Sequence, residues 1–338
     1  MNQSAVRFPF QLVLMALTSA LFGYCFYRSF TEFATPEQTI QVNNLTPQQI
    51  KQIGKPPGEI TVGLIIRDFL TFDPIKNDFV FIGNIWFSYD PETISIDLLS
   101  KFRFDKAEIL EKSEPSSTII GNRFVVNYTI KVHFKNQLLY QYFPFDDHQL
   151  TLQLINPYAL AYDVSFNTVP SNFEVTPATK SQGWTVINKT TSPGYSELQG
   201  VENPTPYPTV LFTIDYLRTG IRQAFTILLP LLALFFVSLF SFSLEPAQYA
   251  TRSMAITAGS ITAILAYKFV IENISPVAGY FMISDYIYLM FLCAISLTFI
   301  LSIVALNQSV GIKKFLIVLL HLFVCISFVY ITLFWTPR

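Results

Sequence analysis

Lys268 and Glu272 stand four residues apart near one end of the stretch SMAITAGSITAILAYKFVIEN, Ser253 to Asn273. On a helix that spacing puts both charges on one face. The stretch is long enough to cross a bilayer, since about 20 residues suffice. It also carries Ser253, Thr257, Gly259, Ser260 and Thr262. Hydroxyls are of no use toward lipid, and charge there is costly. The stretch therefore reads as a helix facing water inside a membrane, shielded from lipid by three more apolar segments. Its chemistry is that of a water-filled path rather than of bond making.

Other reactive side chains are few. His133 falls on the polar face of a strand, His148 in a turn and His321 in the last apolar segment. None stands in a set of three or more His or Cys at ligand spacing, so packed or solvated imidazoles are expected, with no metal. Cys25, Cys293 and Cys325 all lie in apolar segments and read as inert buried thiols. The polar half, Ser29 to Leu217, has no cysteine and hence no disulfide. Asp146 and Asp147 are adjacent, and adjacent carboxylates rarely converge on one substrate. No P-loop, GxGxxG, HExxH or GxSxG occurs. Neither an enzyme nor a cofactor is expected.

The elements that position these residues follow from composition. Hydrophobic residues make up 51% and charged residues 13% of the 338. Soluble domains carry about 25% charge. The net charge of −1 and the lack of a basic run argue against nucleic acid. Residues 1–28 read as a signal peptide or signal anchor, with Arg7 before an apolar run, and cleavage is the favoured reading. Residues 29–58 form a polar, Pro-rich leader in which Thr46 is placed to cap a short helix. From Glu59 the period becomes two. Ile60, Val62, Leu64 and Ile66 share a face, as do Phe79, Phe81, Ile85 and Phe87, and Phe124, Val126, Tyr128, Ile130, Val132 and Phe134. Short strands broken by turn dipeptides predict one antiparallel sandwich over 59–217. Residues 218–338 predict a membrane domain with spans at about 224–244, 253–272, 286–306 and 315–335. Arg252, Lys313 and Lys314 would lie in its cytoplasmic loops, and the outer loop 273–285 has no Lys or Arg.

The segment YQYFPFDDHQLTLQLI, Tyr140 to Ile155, then brings in a family. Phe143, Pro144, Phe145 and Asp146 match the FPFD core of the signature loop of pentameric ligand-gated ion channels, the Cys-loop receptor family. The two cysteines that bracket it in animal members are Asn136 and Leu150 here, as in the prokaryotic branch. VGLIIRDFLTFDPIKN resembles the family's first strand and following loop. GWTVINK resembles the strand before the capping loop, and RTGIRQAFTILLP the junction into the first span. AYKFVIENISPVAGYFMISD resembles the outer end of the second span and its loop, especially in Erwinia-type bacterial channels. The resemblance covers about Glu59 to Arg338.

It implies an α+β membrane protein, with an extracellular immunoglobulin-like β-sandwich followed by a four-helix transmembrane bundle. Five identical subunits would ring a pore in the bacterial inner membrane, with the sandwich on the periplasmic side. Asp73, Asp146 and Arg222 would form an ionic cluster coupling the domains, together with Phe143, Pro144 and Phe145. A small-molecule agonist, a cationic amine being one candidate, would bind between subunits near Phe102, Phe104, Tyr158, Tyr195 and Tyr207, with Trp86 from the neighbour; protons are the other candidate trigger. Arg252 and Glu272 would form charged rings at the inner and outer mouths, with cations favoured as the permeating inorganic ions. Two stripes compete to line the pore. Met254, Ala258, Ile261, Leu265, Lys268 and Glu272 would turn both charges to water. Ala255, Gly259, Thr262, Ala266 and Phe269 match the family register without a gap, and Lys268 can snorkel; this second set is the one expected. The alternative is a membrane-anchored periplasmic binding or adhesion module without conduction.

Overall fold

A computed structural model describes residues 8–31, 42–43, 58–92, 94–160, 163–176, 183–197, 206–244 and 249–334. The expected helix capped by Thr46 lies outside the described residues. The chain is mixed α and β and divides into two compact units.

One unit comprises residues 37–138 and 147–217. Its strands are β1 (Gly58–Asp73), β2 (Asp78–Tyr89), β3 (Arg103–Phe104), β4 (Ala107–Lys112), β5 (Ser116–Ile120), β6 (Arg123–Phe134), β7 (His148–Ile155), β8 (Val164–Asn167), β9 (Phe173–Val175), β10 (Trp184–Ser196) and β11 (Tyr207–Arg218), whose last residue falls in the other unit. A one-turn helix α2 (Ile96–Leu99) precedes β3 and is capped by the Ser95 hydroxyl. One sheet runs β4-β6-β2-β1-β8, with β5 on β6 and β9 on β1; the other runs β10-β11-β7-β3. β1 pairs antiparallel with β2 and parallel with β8 and β9.

The period-two reading places the core. Ile60, Val62, Leu64, Ile66, Phe79, Phe81, Ile85 and Phe87 are fully buried, and Val126 to Phe134 bury every second residue. Rings from the two sheets meet across this core. Phe104 packs on Phe81, Phe212 on Phe173, and Tyr216 on Phe69 and Phe72. Register shifts in β1 after Ile66 and Phe69 move later side chains between faces. Trp86 lies opposite Gly63, where a Cβ would meet the indole at 2.2 Å; only glycine lets the ring lie over the neighbouring strand. His148 is the first residue of β7 rather than part of a turn, and its buried ring stacks on Trp184.

The other unit comprises residues 1–36, 139–146 and 218–338. Its helices are α1 (Phe8–Ser29), α3 (Arg222–Leu239, continued as a 3-10 turn over Phe240–Ser243), α4 (Tyr249–Ile274), α5 (Ile283–Val304) and α6 (Val310–Phe334). All five are long and apolar enough to cross a membrane, which marks a membrane protein. The last four correspond to the expected spans, each begun two to five residues earlier than read from sequence. Pro230 sits inside α3, as tolerated in a spanning helix. α5 holds the unit together, burying Ile287, Phe291, Ala294, Ile295 and Thr298 on one face.

Candidate pore helix and coupling loop

Of the five long helices, α4 buries the smallest share of its residues. Its packed face carries Ser253, Thr257, Ser260, Ile264 and Ile271. At 3.6 residues per turn, Ala255, Gly259, Thr262, Ala266 and Phe269 fall about 180° away from that face. All five are exposed, Phe269 at 70%. The competing stripe sits about a quarter turn round, and its Ile261 and Lys268 are half-buried. One expectation needs correction here. The sequence places Ser253, Thr257 and Ser260 toward water, yet they lie on the packed side. Thr257 Oγ1 donates to the Ser253 carbonyl at 2.8 Å and Ser260 Oγ to the Ile256 carbonyl at 2.9 Å. A hydroxyl satisfied by its own helix can be buried, and its small size permits close helix packing.

Lys268 is also accounted for inside the unit. Its Nζ donates to Asp285 Oδ1 at 2.7 Å, with Glu272 Oε1 at 3.8 Å and the Tyr288 ring centroid at 5.3 Å. Asp285 is the third residue of α5, and its Oδ2 accepts the Met282 backbone N–H at 2.9 Å. One carboxylate therefore caps α5 and holds the C-terminal part of α4. Glu272 and Arg252 are exposed, and Arg252 forms no ion pair among the described residues.

The signature-like loop belongs to the helical unit. Its Gln141 and Phe143 carbonyls accept the N–H groups of Ile283 and Ser284, at 2.9 and 3.0 Å, in the first turn of α5. The Tyr280 hydroxyl accepts the Tyr140 N–H at 2.8 Å. Helix N-termini leave N–H groups without helical partners, and the loop supplies two of them. Phe143, Pro144 and Phe145 are buried, and the Phe143–Pro144 bond is cis. Asp146 is held by Arg218, not by Arg222 as expected. Arg218 Nη2 lies 2.8 Å from Asp146 Oδ1, its Nε donates to the Asp146 carbonyl at 3.1 Å, and the side chains are 5% and 0% exposed. The guanidinium also lies over the Phe143 ring and donates to Gln223. Arg222 starts α3, points outward and forms no ion pair among the described residues. The reason is local: Arg218 ends a strand at the loop, whereas four residues later the helix has turned the next arginine away. Asp73 pairs with Lys76 at 3.3 Å in the turn after β1.

The aromatic candidates disperse. Phe102 and Phe104 are core residues, not an open ligand surface. Phe102 packs on Phe87 and Tyr128. Alternation along β3 turns Phe104 inward, onto Phe81. Lys112 Nζ sits 4.1 Å from the Phe102 ring centroid and 4.7 Å from that of Tyr128, and burial lowers its pKa. Tyr158 is 59% exposed, with Lys101 Nζ 5.4 Å from its ring centroid. Trp86 and Tyr195 are half-buried, and the Tyr195 backbone bridges to Asn43. Tyr207 is buried. Burial raises the pKa of both Tyr195 and Tyr207. No ring pair among the described residues joins Tyr158, Tyr195 and Tyr207 to one another.

Sequence reasoning missed Arg218 and Asp285. Both were visible as charges beside motifs, but their partners lie 72 and 17 residues away. Among the described residues no group of three His, Cys, Asp or Glu is placed to hold a metal ion. No protein-family model matches the chain, and no curated protein is significantly similar to it.

Proposed function

We propose that this protein is a homopentameric ion channel gated by a small-molecule agonist or by protons, with cations as the permeating ions. The strand unit would be a periplasmic immunoglobulin-like sandwich and α3 to α6 the four-helix conducting bundle of an inner-membrane protein. The observation that carries the reading is α4. The face opposite its packed side is a continuous run of small residues, Ala255, Gly259, Thr262 and Ala266, closed at its outer end by Phe269. One helix cannot enclose water, so five copies of that face around an axis supply the missing wall, and small side chains leave the path wide. Five Phe269 rings would close it by dewetting. The hold of Asp285 on Lys268 supports this choice of face, because the ammonium needs no lumen to be satisfied. Glu272 would set a negative ring at the outer mouth, and Arg252 a positive one at the inner.

The signature-like loop supports a coupling role. Its carbonyls hold the start of α5, and α5 holds α4 through Asp285. Motion of the loop would therefore reach the Phe269 ring through hydrogen bonds and an ion pair. For the agonist, Tyr158, Tyr195 and Trp86 remain the aromatic candidates that reach a surface.

The test is flux. The chain reconstituted in liposomes should pass monovalent cations when challenged with acid or with a panel of primary and quaternary amines, and reversal potentials in asymmetric salt should follow the cation gradient. Native mass spectrometry in mild detergent should give a pentamer. A stable monomer with no flux under any condition supports the anchored, non-conducting module instead.

A further inference from the structure

We propose that α1 is a permanent fifth membrane helix, kept in the mature chain and docked against α3 and α6, rather than a leader that is removed. The docked face is one stripe: Gln11, Thr18, Phe22, Cys25 and Phe26 are buried, at helical spacing. At one end Gln11 Nε2 donates to the Leu239 carbonyl at 2.9 Å, and Phe8 stacks on Phe240 at 5.4 Å. Leu239 is the last residue of α3, at the step into the 3-10 turn. The Gln11 amide therefore bonds across to the end of α3 inside the apolar unit. Midway, Thr18 Oγ1 is 2.7 Å from His321 Nδ1 of α6, and Cys325 Sγ is 3.8 Å from the same hydroxyl. Farther on, Phe22 stacks on Phe328 at 3.8 Å and meets Phe291 at 6.0 Å. Phe26 reaches Phe225 at 4.9 Å and the loop residue Phe145 at 5.5 Å.

These contacts run in order along the helix. Phe8 with Phe240 and Phe26 with Phe225 make α1 antiparallel to α3; Thr18 with His321 and Phe22 with Phe328 make it parallel to α6. α1 thus spans the full height of the helical unit. A segment that is exported and cut off needs only a basic start and an apolar run. It has no use for an amide and a hydroxyl on one face, each matched by a group on a different helix. In lipid such polar groups are costly unless paired. Removing α1 would strip the ring partner from Phe328 and the hydroxyl from His321. The inference concerns topology and does not depend on conduction.

Two experiments test it. The full chain, carrying only a C-terminal tag, is purified from bacterial membranes and its intact mass is measured. The mass of a chain starting at Met1 or Asn2 is expected; a start between residues 20 and 30 overturns the proposal. In the second, Thr18→Cys places a thiol beside Cys325, and a protease site is inserted between residues 32 and 41. After oxidation and proteolysis α1 should stay attached on a denaturing gel and leave only on reduction, while on the same gel Thr18→Cys with Cys325→Ala should run without it. Release of α1 from the oxidised single variant overturns the docking. Neither readout uses ion flux, so a failure here is distinguishable from a failure of the channel reading.

Discussion

Lys268 of α4 and Asp285 of α5 form an ion pair, Nζ to Oδ1 at 2.7 Å, with side chains 29% and 12% exposed. The same carboxylate caps α5 through Met282. This pair joins the helix proposed to line the pore to the helix whose first turn is bonded to the FPFD loop. Removing one member leaves the other partly buried and unpaired. Asp285→Asn and Lys268→Met should each destabilise by about 1–3 kcal/mol, below the range for fully buried pairs because of the exposure. A double-mutant cycle on thermal unfolding should show coupling of at least about 0.5 kcal/mol; strict additivity would remove the tie.

Arg218 and Asp146 are the more deeply buried pair. Arg218→Ala leaves a buried carboxylate opposite an empty site, at a cost of about 3–5 kcal/mol. Loss of folded protein at the membrane is expected, measured by size-exclusion profile and surface labelling. Arg222→Ala, at an exposed helix start, should fall within about 0.5 kcal/mol of the parent. The reverse order of severity would restore Arg222 as the partner.

Phe269 is the proposed constriction. In the reconstituted protein the proposal expects Phe269→Ala to raise resting conductance and Ile261→Ala to leave it near the parent value. If Ile261→Ala opens the pore and Phe269→Ala is silent, the stripe containing Lys268 and Glu272 lines the pore.

Tyr216 of β11 is fully buried against Phe69 and Phe72 of β1, and its hydroxyl finds no hydrogen-bond partner among the described residues. Tyr216→Phe keeps the ring contacts with Phe69 and Phe72 and should stabilise the strand unit by about 1 kcal/mol at neutral pH. Burial raises the pKa of this phenol above its ordinary value. An acid whose folded pKa is raised holds its proton longer when folded. Its stabilising effect is present below the unfolded value of about 10 and is lost as pH rises above it. Thermal melts from pH 8 to 11 should fall less steeply for Tyr216→Phe than for the parent; parallel slopes would place the titration elsewhere.

The sequence by itself determined the buried faces of the main strands and the extents of the long helices. Strict alternation in residues 60–66, 79–87 and 126–134 placed the strand core, because a side-chain period of two leaves only one buried face. Length and apolarity placed the long helices, because about 30 Å of hydrocarbon demands about 20 apolar residues. What sequence alone left open was which groups meet. Charge beside a motif reads the same at Arg218 and Arg222, and only the strand end and helix start that carry them decide which one reaches Asp146. Thr257 and Ser260 on α4 read as water-facing until the fold shows them on the packed side, bonded to carbonyls one turn back on the same helix. Phe102 and Phe104 read as ligand aromatics until cross-sheet packing buries them. Contacts such as Lys268 with Asp285 and Thr18 with His321 join residues far apart in the chain. They depend on helix rotation and tilt, which packing sets and local sequence does not encode.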